Sequence, residues 1–340
     1  MIETNPTTSQ SIPFNVSLII PALNEAEMLI RLLDSIEKLE QTSDYCIYEV
    51  IVVDAASSDC TADLARSRNC IVINTKPGHV ATSRNLGAAK ALGNILAFID
   101  ADCELPSNWL TNIINEFQQE NIIAVGSRMA ENQLNTTWVE KAWYELAHRQ
   151  YTQEKTSDVE WLATFNIAVE KRAFDSIGGF DESLTTCEDV EFGYRLSSLG
   201  TLRRLNSCGV IHNGESKTIK EFYRREAWRA RGALGILANH WNNPRELISF
   251  LLPITITGGL LISAALIITC MTLLYLESSN IELIAGIALA IGPMPVLLLT
   301  LRRQVKWSLF IPCGLLMCIY FYARCIGTLR PFPRVERTDS

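Results

Sequence analysis

The stretch Ile95-Leu-Ala-Phe-Ile-Asp-Ala-Asp102 joins five consecutive apolar residues to two carboxylates that are one residue apart. An apolar run of this length followed by acids predicts a buried strand with a polar carboxyl end. Two carboxylates in that position can approach one hard divalent cation, because Mg²⁺ and Mn²⁺ prefer oxygen ligands. A polar turn ahead of Pro106 explains the same residues, and the stretch by itself leaves both interpretations open.

The residues before this stretch alternate between apolar runs and segments with helical spacing. The expected strands cover residues 16–20, 49–53 and 71–73, and the expected helices cover residues 25–40, 61–68 and 81–92. Asp59 is the expected N-cap of the second helix. This alternation predicts an α/β fold with a mostly parallel sheet and helices on both faces. Ligands of such sheets bind at the carboxyl ends of the strands, where polar clusters occur at 21–25, 54–59 and 100–102.

The last third of the chain is much more apolar than the rest. Residues 250–276 carry no charge, and about 20 apolar residues are enough to cross a hydrocarbon core about 30 Å thick. Further apolar segments cover 283–301, which Gly292-Pro-Met-Pro295 interrupts, and 307–327. The mean hydropathy of +0.13 also favours a chain that lies partly in lipid. We therefore expect a flexible tail over residues 1–15, a catalytic domain over 16–235 and a membrane anchor over 236–340.

Basic residues predict how the anchor is oriented. Arg302, Arg303 and Lys306 lie in the loop after the second apolar segment, and basic loops favour the cytoplasmic side. The catalytic domain is then cytoplasmic as well. If the third segment crossed the membrane, the basic tail from Arg330 onward would lie outside, so a re-entrant or interfacial third segment is favoured.

Charge and cysteine content exclude other classes of protein. The chain has a net charge of −7, and from residue 250 onward seven basic side chains outnumber four acidic ones. The acidic excess therefore lies in the catalytic domain, which makes nucleic acid a poor partner. The ten cysteines form no Cys-x-x-Cys pair, so the sequence predicts reduced thiols in the cytosol. The N-terminus has no basic start or apolar core typical of a signal peptide.

Two further motifs carry acid–base or ligand chemistry. His212 follows an apolar stretch over 202–211 and could complete a metal site, in which an imidazole suits Mn²⁺ better than Mg²⁺. A lone histidine at a strand end is the simpler interpretation. Glu188 and Asp189 stand at the start of a predicted helix. They could supply a general base or merely favour the positive end of the helix dipole.

Basic residues suggest phosphate contacts at two places. Arg84-Asn85 and the turn at 76–78 could contact phosphates, although a helix start and an ordinary turn explain them equally. The predicted basic helix over 217–240 carries a cluster of arginines that could bind a diphosphate or an anionic lipid head group. A solvated helix face is the alternative. The cluster consists of Arg224, Arg225, Arg229 and Arg231.

Taken in order, these motifs resemble glycosyltransferase family 2, whose members have the GT-A fold. The resemblance covers residues 16–235. It rests on Pro21-Ala-Leu-Asn-Glu25, Asp54, Arg84-Asn85, Asp100-Ala-Asp102, Gly178-Gly-Phe-Asp-Glu182, Glu188-Asp189 and His212. The resemblance implies a role for each position, and those expected to bind the nucleotide sugar are Pro21, Asn24, Glu25, Asp54, Gly78, Arg84, Asn85 and Asp100. It further implies Asp102 and His212 as metal ligands, Asp189 as the catalytic base, and Trp161, Asn166 and Glu188 as acceptor or sugar contacts.

The resemblance also implies an activity. It is the inverting, divalent-metal-dependent transfer of one sugar from a nucleotide-diphosphate sugar, with UDP favoured over GDP. The anchor points to a membrane-associated acceptor, such as a polyprenyl phosphate or another lipid, that offers a hydroxyl or a phosphate. The Gln-x-x-Arg-Trp motif of processive synthases is absent, which favours single transfer over polymerisation. Many relatives carry a Gly-Ser-Thr-Asp-Gly pattern where this chain has Ala56-Ser-Ser-Asp-Cys60.

Two other functions fit parts of the sequence. A sugar-phosphate nucleotidyltransferase is also α/β and metal-dependent, but it would need a glycine-rich phosphate loop after the first strand, where this chain has residues 21–25. A membrane scaffold that binds a nucleotide sugar without turnover would tolerate the loss of Asp189.

Overall fold

The computed structural model describes residues 14–132, 136–149, 156–275 and 281–330. The chain divides into two compact units. The first comprises Met1–Met129, Glu154–Glu182 and Asp189–Asn213, and the second comprises Ala130–Gln153, Ser183–Glu188 and Gly214–Ser340. This division differs from the single boundary expected at residue 235, because three segments before that residue belong to the second unit.

The first half of the sheet follows the predicted alternation of strands and helices. The elements are β1 (Phe14–Ala22), α1 (Ala26–Ile36), β2 (Tyr45–Asp54), α2 (Thr61–Ser67), β3 (Ile71–Asn74), α3 (Val80–Lys90) and β4 (Ile95–Ile99). The four strands are parallel in the order β3-β2-β1-β4. Their carboxyl ends therefore meet at one edge of the sheet, as the sequence predicts.

The rest of the first unit makes the sheet mixed. It contains β5 (Cys103–Glu104), α4 (Trp109–Phe117), β6 (Ile122–Met129), β7 (Thr156–Val159), β8 (Asn166–Glu170), α6 (Lys171–Ser176), α7 (Glu188–Ser197) and β9 (Thr201–His212). Strand β8 lies between β4 and β6 and is antiparallel to both. Strand β9 is parallel to β6 and antiparallel to β5 and β7. The α/β class is confirmed, but the parallel arrangement holds for the first four strands and for β6 with β9, since β8 reverses direction.

Both faces of the sheet are buried, which explains the continuous apolar runs of its strands. Leu18 and Ile20 of β1 pack into the cluster that includes α1 and α4. Ile19 points to the opposite face and packs with residues of α3, α6 and α7. All three are completely buried, and each contributes about 1.5–3 kcal/mol to folding.

Two expectations about the ends of elements are wrong. Phe14 and Asn15 belong to β1 and not to a flexible tail, because they pair with Tyr45 and Cys46 of β2; residues 1–13 of that tail lie outside the described residues. Asp59 is not the N-cap of α2, since Cys60 occupies that position. The Asp59 Oδ1 instead accepts the N–H of Thr61, the first residue of α2, at 3.0 Å.

The second unit begins with α5 (Trp138–Ala147) and resumes with α8 (Ile219–Arg229) and α9 (Ala233–Asn239). A single helix over 217–240 was expected, but a 3₁₀ turn at Ala230–Gly232 divides it. The cause is a close approach of the backbone to another segment. A Cβ on Gly232 would lie 2.6 Å from Thr186 Oγ1 and 2.8 Å from Cys187 Sγ, so only glycine fits there.

Four apolar helices complete the second unit, namely α10 (Pro244–Tyr275), α11 (Ile281–Ile291), α12 (Pro293–Arg302) and α13 (Phe310–Leu329). Within the described ranges, two helical stretches are long and apolar enough to cross a membrane, Pro244–Leu273 and Trp307–Leu329. Helices α11 and α12 are bent by 40° and count as a third span if taken together. The interruption thus lies in the second apolar segment, at Gly292. The third segment is one continuous helix without a re-entrant break, and its interfacial position stays a prediction.

Helices α5 and α8 share a core with the apolar C-terminal helices. Val139 and Ala142 of α5 and Phe222 of α8 are buried in one cluster with Leu316 and Phe321 of α13. The α8 and α13 backbones also approach closely, since a Cβ on Gly327 would collide with the Ala227 carbonyl. Buried Glu226 of α8 lies 3.4 Å from the Arg324 guanidinium of α13. These contacts make α8 an integral part of the second unit.

Candidate active site

The turns that follow β1 and β2 are joined by side-chain hydrogen bonds. Asn24 adopts a left-handed conformation with φ of 56°, which asparagine tolerates better than most residues. Its Oδ1 accepts the Ser58 N–H at 2.7 Å, and its own N–H donates to Ser57 Oγ at 2.9 Å. Asn24 therefore fixes the shape of both turns.

The next residue ties the same two turns together through α2. The Glu25 N–H donates to Thr61 Oγ1 at 3.0 Å. Burial raises the pKa of the Glu25 carboxyl, and the nearby carboxylates of Asp102, Asp100 and Asp59 raise it further. Glu25 therefore lies within electrostatic reach of acids from two other turns.

Asp54 is the last residue of β2, and one of its two carboxylate oxygens has no hydrogen-bond partner in the described part of the chain. The residue is 4% exposed, and its Oδ2 accepts the Ser57 N–H at 3.1 Å. Its buried Oδ1 has no hydrogen-bond partner among the described residues. Leaving a buried acceptor unsatisfied costs about 1–3 kcal/mol, so this oxygen suits a donor group of a ligand. Pro21 pairs with Val53 in the adjacent β1–β2 ladder.

Arg84 orients Asp100. Its Nη2 donates to Asp100 Oδ1 at 2.8 Å, and its guanidinium lies 5.6 Å from the centre of the Phe180 ring. Arg84 is only 2% exposed, whereas the Asp100 side chain is 31% exposed. The arginine is thus buried behind the acid and does not present its guanidinium to solvent, which differs from the expected phosphate contact.

Asn85 fixes the turn at 178–182. Its Nδ2 donates to the Phe180 carbonyl at 2.9 Å and to Glu182 Oε1 at 2.8 Å, and its Oδ1 accepts the Phe180 N–H at 2.9 Å. Gly178 and Gly179 both have positive φ, and a Cβ on Gly179 would lie 2.7 Å from Asn85 Oδ1. The amide of Asn85 is therefore used to hold this turn.

Asp102 and His212 come together through backbone pairing. Cys103 of β5 pairs with His212 of β9, and the Asp102 carbonyl accepts the Asn213 N–H at 2.8 Å. His212 Nε2 lies 3.4 Å from Asp102 Oδ1. Adjacent ligand atoms about 2.1 Å from an octahedral ion are about 3.0 Å apart, so the two atoms are close to that spacing. The ligand atoms of Asp102, Cys103 and His212 all lie within 4.8 Å of one another, and an oxygen and an imidazole nitrogen among them suit a divalent metal.

Asp189 lies in the first turn of α7, directly after Glu188. Its Oδ1 accepts the Val190 N–H at 2.9 Å. One turn further along, a Cβ on Gly193 would collide with the backbone and Cβ of Trp161. The missing side chain lets the Trp161 segment pack against α7, where Trp161 itself is 39% exposed.

Comparison with known proteins identifies the first part of the chain. Residues 17–178 match the model of glycosyl transferase family 2. This segment is a family 2 glycosyltransferase domain. The GT-A-like fold expected from the sequence agrees with a solved structure, the mannosyltransferase PcManGT from Pyrobaculum calidifontis in complex with GDP-Man and Mn²⁺. The TM-score is 0.58 at 17% identity, over 94% of this chain and 88% of that one.

Curated relatives of this glycosyltransferase domain include two enzymes. Glycosyltransferase AglE of Haloferax volcanii is 28% identical over 198 residues, 56% of this chain and 64% of that protein. Beta-monoglucosyldiacylglycerol synthase of Trichormus variabilis is 26% identical over 246 residues, 68% of this chain and 51% of that enzyme. The chain thus spans about two thirds of the length of AglE and about half of the length of the Trichormus enzyme.

Asn166 differs from expectation. It is completely buried, where its Oδ1 accepts the Trp109 indole N–H at 2.9 Å and its Nδ2 donates to the Ser127 carbonyl at 3.1 Å. It supports the core and cannot contact an acceptor. Gly78 lies exposed in the turn before α3, and its contact with the nucleotide sugar stays a prediction.

Several positioning residues of the glycosyltransferase domain escaped the sequence analysis. Ser57, Ser58 and Thr61 hold the turn residues Asn24 and Glu25, and Glu182 accepts the Thr82 hydroxyl at 2.9 Å. The serines and the threonine lie in or next to the polar cluster at 54–59. That clustering was the available signal, because polar residues concentrated after a buried strand often bond across turns.

Proposed function

We propose that this protein is a membrane-bound, inverting glycosyltransferase that transfers one sugar from a nucleotide-diphosphate sugar to a lipid acceptor. The observation that carries the proposal is the position of Asp54 after β2 and of Asp100 and Asp102 after β4, at the same edge of the parallel strands on either side of β1. Asp54 Oδ1 is buried there without a partner among the residues described, and Asp102 stands 3.4 Å from His212.

The nucleoside of the donor is assigned to the edge at β1 and β2. Asp54 Oδ1 would accept a hydrogen bond from the base or the ribose, and doing so would relieve its unsatisfied acceptor. Asn24 and Glu25 keep the surrounding turns rigid through Ser57, Ser58 and Thr61. UDP is the first candidate nucleotide and GDP the second, and the fold neighbour PcManGT was solved with GDP-Man.

The diphosphate is assigned to the edge at β4. Asp102 and His212 would hold a divalent ion, Mn²⁺ or Mg²⁺, which when bound neutralises negative charge on the departing diphosphate. Arg84 keeps the Asp100 carboxylate in place through a 2.8 Å ion pair. The fold neighbour PcManGT was solved in complex with Mn²⁺ as well as GDP-Man, which supports this assignment.

Asp189 is the proposed general base. It takes the proton from an acceptor hydroxyl while that oxygen forms a bond to the anomeric carbon. The bond from this carbon to the diphosphate oxygen breaks, and the nucleoside diphosphate leaves with the electron pair. Attack on the face opposite the leaving group inverts the anomeric configuration in one step. Glu188 directly precedes Asp189 in α7, and Trp161 packs against the same helix at Gly193. Both would contact the acceptor or the sugar.

The acceptor is assigned to the membrane. Two apolar helical stretches could span a bilayer, and the name of the Trichormus relative describes a glucosylated diacylglycerol. The loop that carries Arg302 and Arg303 would lie on the cytoplasmic side with the catalytic domain. Nucleic acid has no part in this function.

The test is nucleotide release by detergent-solubilised protein with Mn²⁺ and a lipid extract, across UDP-, GDP- and dTDP-sugars. We expect release from one donor, reduced at least about 100-fold by Asp189→Asn, since a general base typically contributes 10²–10⁴ in rate. Asp175→Asn is the matched control, because this acid on α6 is 59% exposed. Asp189→Asn activity within a few-fold of wild type would disprove the assignment of the base, and donor binding without turnover would favour a scaffold.

A further inference from the structure

A cavity of about 420 Å³ lies within the second unit, at the end of α13. Its apolar wall consists of Leu184, Leu234 and Leu329, and its cationic wall consists of Arg231 and Arg330. Every one of these residues belongs to the second unit. A cavity that combines leucines with two guanidinium groups suits a ligand with an apolar chain and an anionic head.

Arg231 differs from two of its arginine neighbours in how its charge is used. Arg225 donates to the Gly214 carbonyl and lies 3.7 Å from Glu215. Arg229 donates to Glu226 at 2.8 Å. The Arg231 Nε is buried, and no acceptor for its N–H is found within the described ranges of the chain. Arg231 also lines the cavity, so its side chain borders the space that a ligand would occupy.

The backbone keeps Arg231 at the cavity wall. It lies in the 3₁₀ turn at Ala230–Gly232, which Gly232 brings directly against Thr186 and Cys187. The segment before these two residues supplies Leu184 to the opposite wall. Arg231 and Leu184 therefore both lie next to the contact of Gly232 with Thr186 and Cys187. The segment that contains Leu184 continues along the chain to Glu188.

The cavity lies at the C-terminal end of an apolar helix. Helix α13 ends at Leu329, and exposed Arg330 follows it directly. Leu329 and Arg330 therefore place an apolar and a cationic side chain next to each other in the lining of the cavity.

We propose that this cavity binds the phosphate of an anionic lipid. Arg231 and Arg330 hold the phosphate, since guanidinium groups form paired hydrogen bonds with phosphate oxygens. Leu184, Leu234 and Leu329 contact the first carbons of the lipid chain. A neutral diacylglycerol would leave both charges unused.

Binding of three probes separates a lipid phosphate from its parts. We would measure the melting temperature of the purified full chain in detergent against farnesyl phosphate, farnesol and inorganic phosphate. Farnesyl phosphate is expected to raise the melting temperature in a saturable way, whereas the other two at equal concentration leave it unchanged. An equal shift with farnesol, or with inorganic phosphate, would contradict the proposal.

Matched arginine variants test the cavity itself. Arg231→Gln combined with Arg330→Gln is expected to weaken farnesyl phosphate binding at least tenfold. Arg224→Gln is the control, because Arg224 is exposed on α8 and does not line the cavity. Unchanged binding in the double variant, or equal weakening by the control, would overturn the proposal. If Arg231→Gln fails to fold, Arg330→Gln alone decides, because this residue is exposed.

Donor binding in the same preparations separates the two proposals. A Mn²⁺-dependent rise in melting temperature with a nucleotide sugar reports the first unit, and the double variant is expected to retain it. If wild type binds farnesyl phosphate through Arg231 but binds and turns over no donor, the lipid site stands and the transferase function fails. If the wild type turns over donor but the double variant still binds and glycosylates lipid normally, the lipid site fails alone.

Discussion

His212 Nε2 lies 3.4 Å from Asp102 Oδ1, and the two residues are held together by the antiparallel pairing of β5 with β9. Backbone pairing fixes this distance more firmly than a loop would, because Cys103 and His212 face each other in the ladder. The Asn213 N–H donates to the Asp102 carbonyl at 2.8 Å and closes the arrangement. The pair is thus preorganised before a ligand arrives.

This geometry predicts how metal binding responds to mutation. We expect Mn²⁺ to raise the melting temperature of the wild type, and we expect Asp102→Asn and His212→Gln each to abolish most of that rise. The reason is the loss of one of the two candidate ligands, which weakens binding at least about tenfold, or 1.4 kcal/mol. Asp63→Asn is the control, since Asp63 is 85% exposed. A wild-type response that survives in both site variants would place the metal elsewhere.

Asn85→Ala is expected to destabilise the first unit. The variant loses three hydrogen bonds to Phe180 and Glu182, and buried Phe180 keeps an unsatisfied backbone. The expected loss is about 2–3 kcal/mol, measured by chemical denaturation. Asn112→Ala, which removes one bond to Asn108 in the adjacent turn, should cost less than about 1 kcal/mol. Equal losses in the two variants would show that Asn85 does not hold the turn.

Ala56→Gly is expected to stabilise the protein. Ala56 has φ of 62° and is exposed, so its Cβ is strained and contributes no packing. Relief of the left-handed strain outweighs the greater chain entropy of glycine by about 0.5–1 kcal/mol. Ala62→Gly within α2 should have the opposite sign, at a cost of about 1 kcal/mol. A loss of stability in Ala56→Gly would show that this strain is absent in solution.

The raised pKa of Glu25 predicts a dependence of stability on pH. A folded-state pKa above the ordinary value of 4.5 means that the folded state binds the proton more tightly. Stability therefore falls as the pH rises through the interval between the two values. With metal removed, Glu25→Gln should raise the melting temperature at pH 7 but have little effect below pH 4.5. Glu27→Gln, at a side chain that is 80% exposed, should leave the melting temperature unchanged at both pH values. A gain in melting temperature for Glu25→Gln that does not depend on pH would contradict the prediction.

Strands β1, β4 and the second half of β2 were predictable because they are buried on both faces, whereas β3 is half-buried or exposed and was predictable from its short β-branched run alone. Runs such as residues 95–99 are continuous in sequence and need no knowledge of the partner strands. The acids at their carboxyl ends were predictable as a cluster for the same reason, since parallel strands present those ends at one edge. The pairing of Asp102 with His212 followed from the family resemblance and not from spacing, because 110 residues separate them.

Other features depend on contacts that local sequence does not record. Asn166 serves the core because of Trp109, which is 57 residues away and donates its indole N–H. The reversed direction of β8 depends on its neighbours β4 and β6, whereas its residues would suit either direction. The break between α8 and α9 arises where Gly232 meets Thr186. In each case a residue with ordinary local propensity is governed by a distant partner.

The packing of α5 and α8 with α13 limits how this protein can be dissected or exchanged. A chain cut at residue 235 would keep Phe222, Ala227 and Glu226 but lose Leu316, Phe321 and Arg324, which cover them. Such a fragment would expose an apolar patch, and Glu226 would keep Arg229 but lose Arg324 as a partner, so we expect the fragment to aggregate. A graft of the first unit onto the C-terminal helices of another protein would meet the same mismatch. The C-terminal helices are therefore exchangeable only together with α5 and α8.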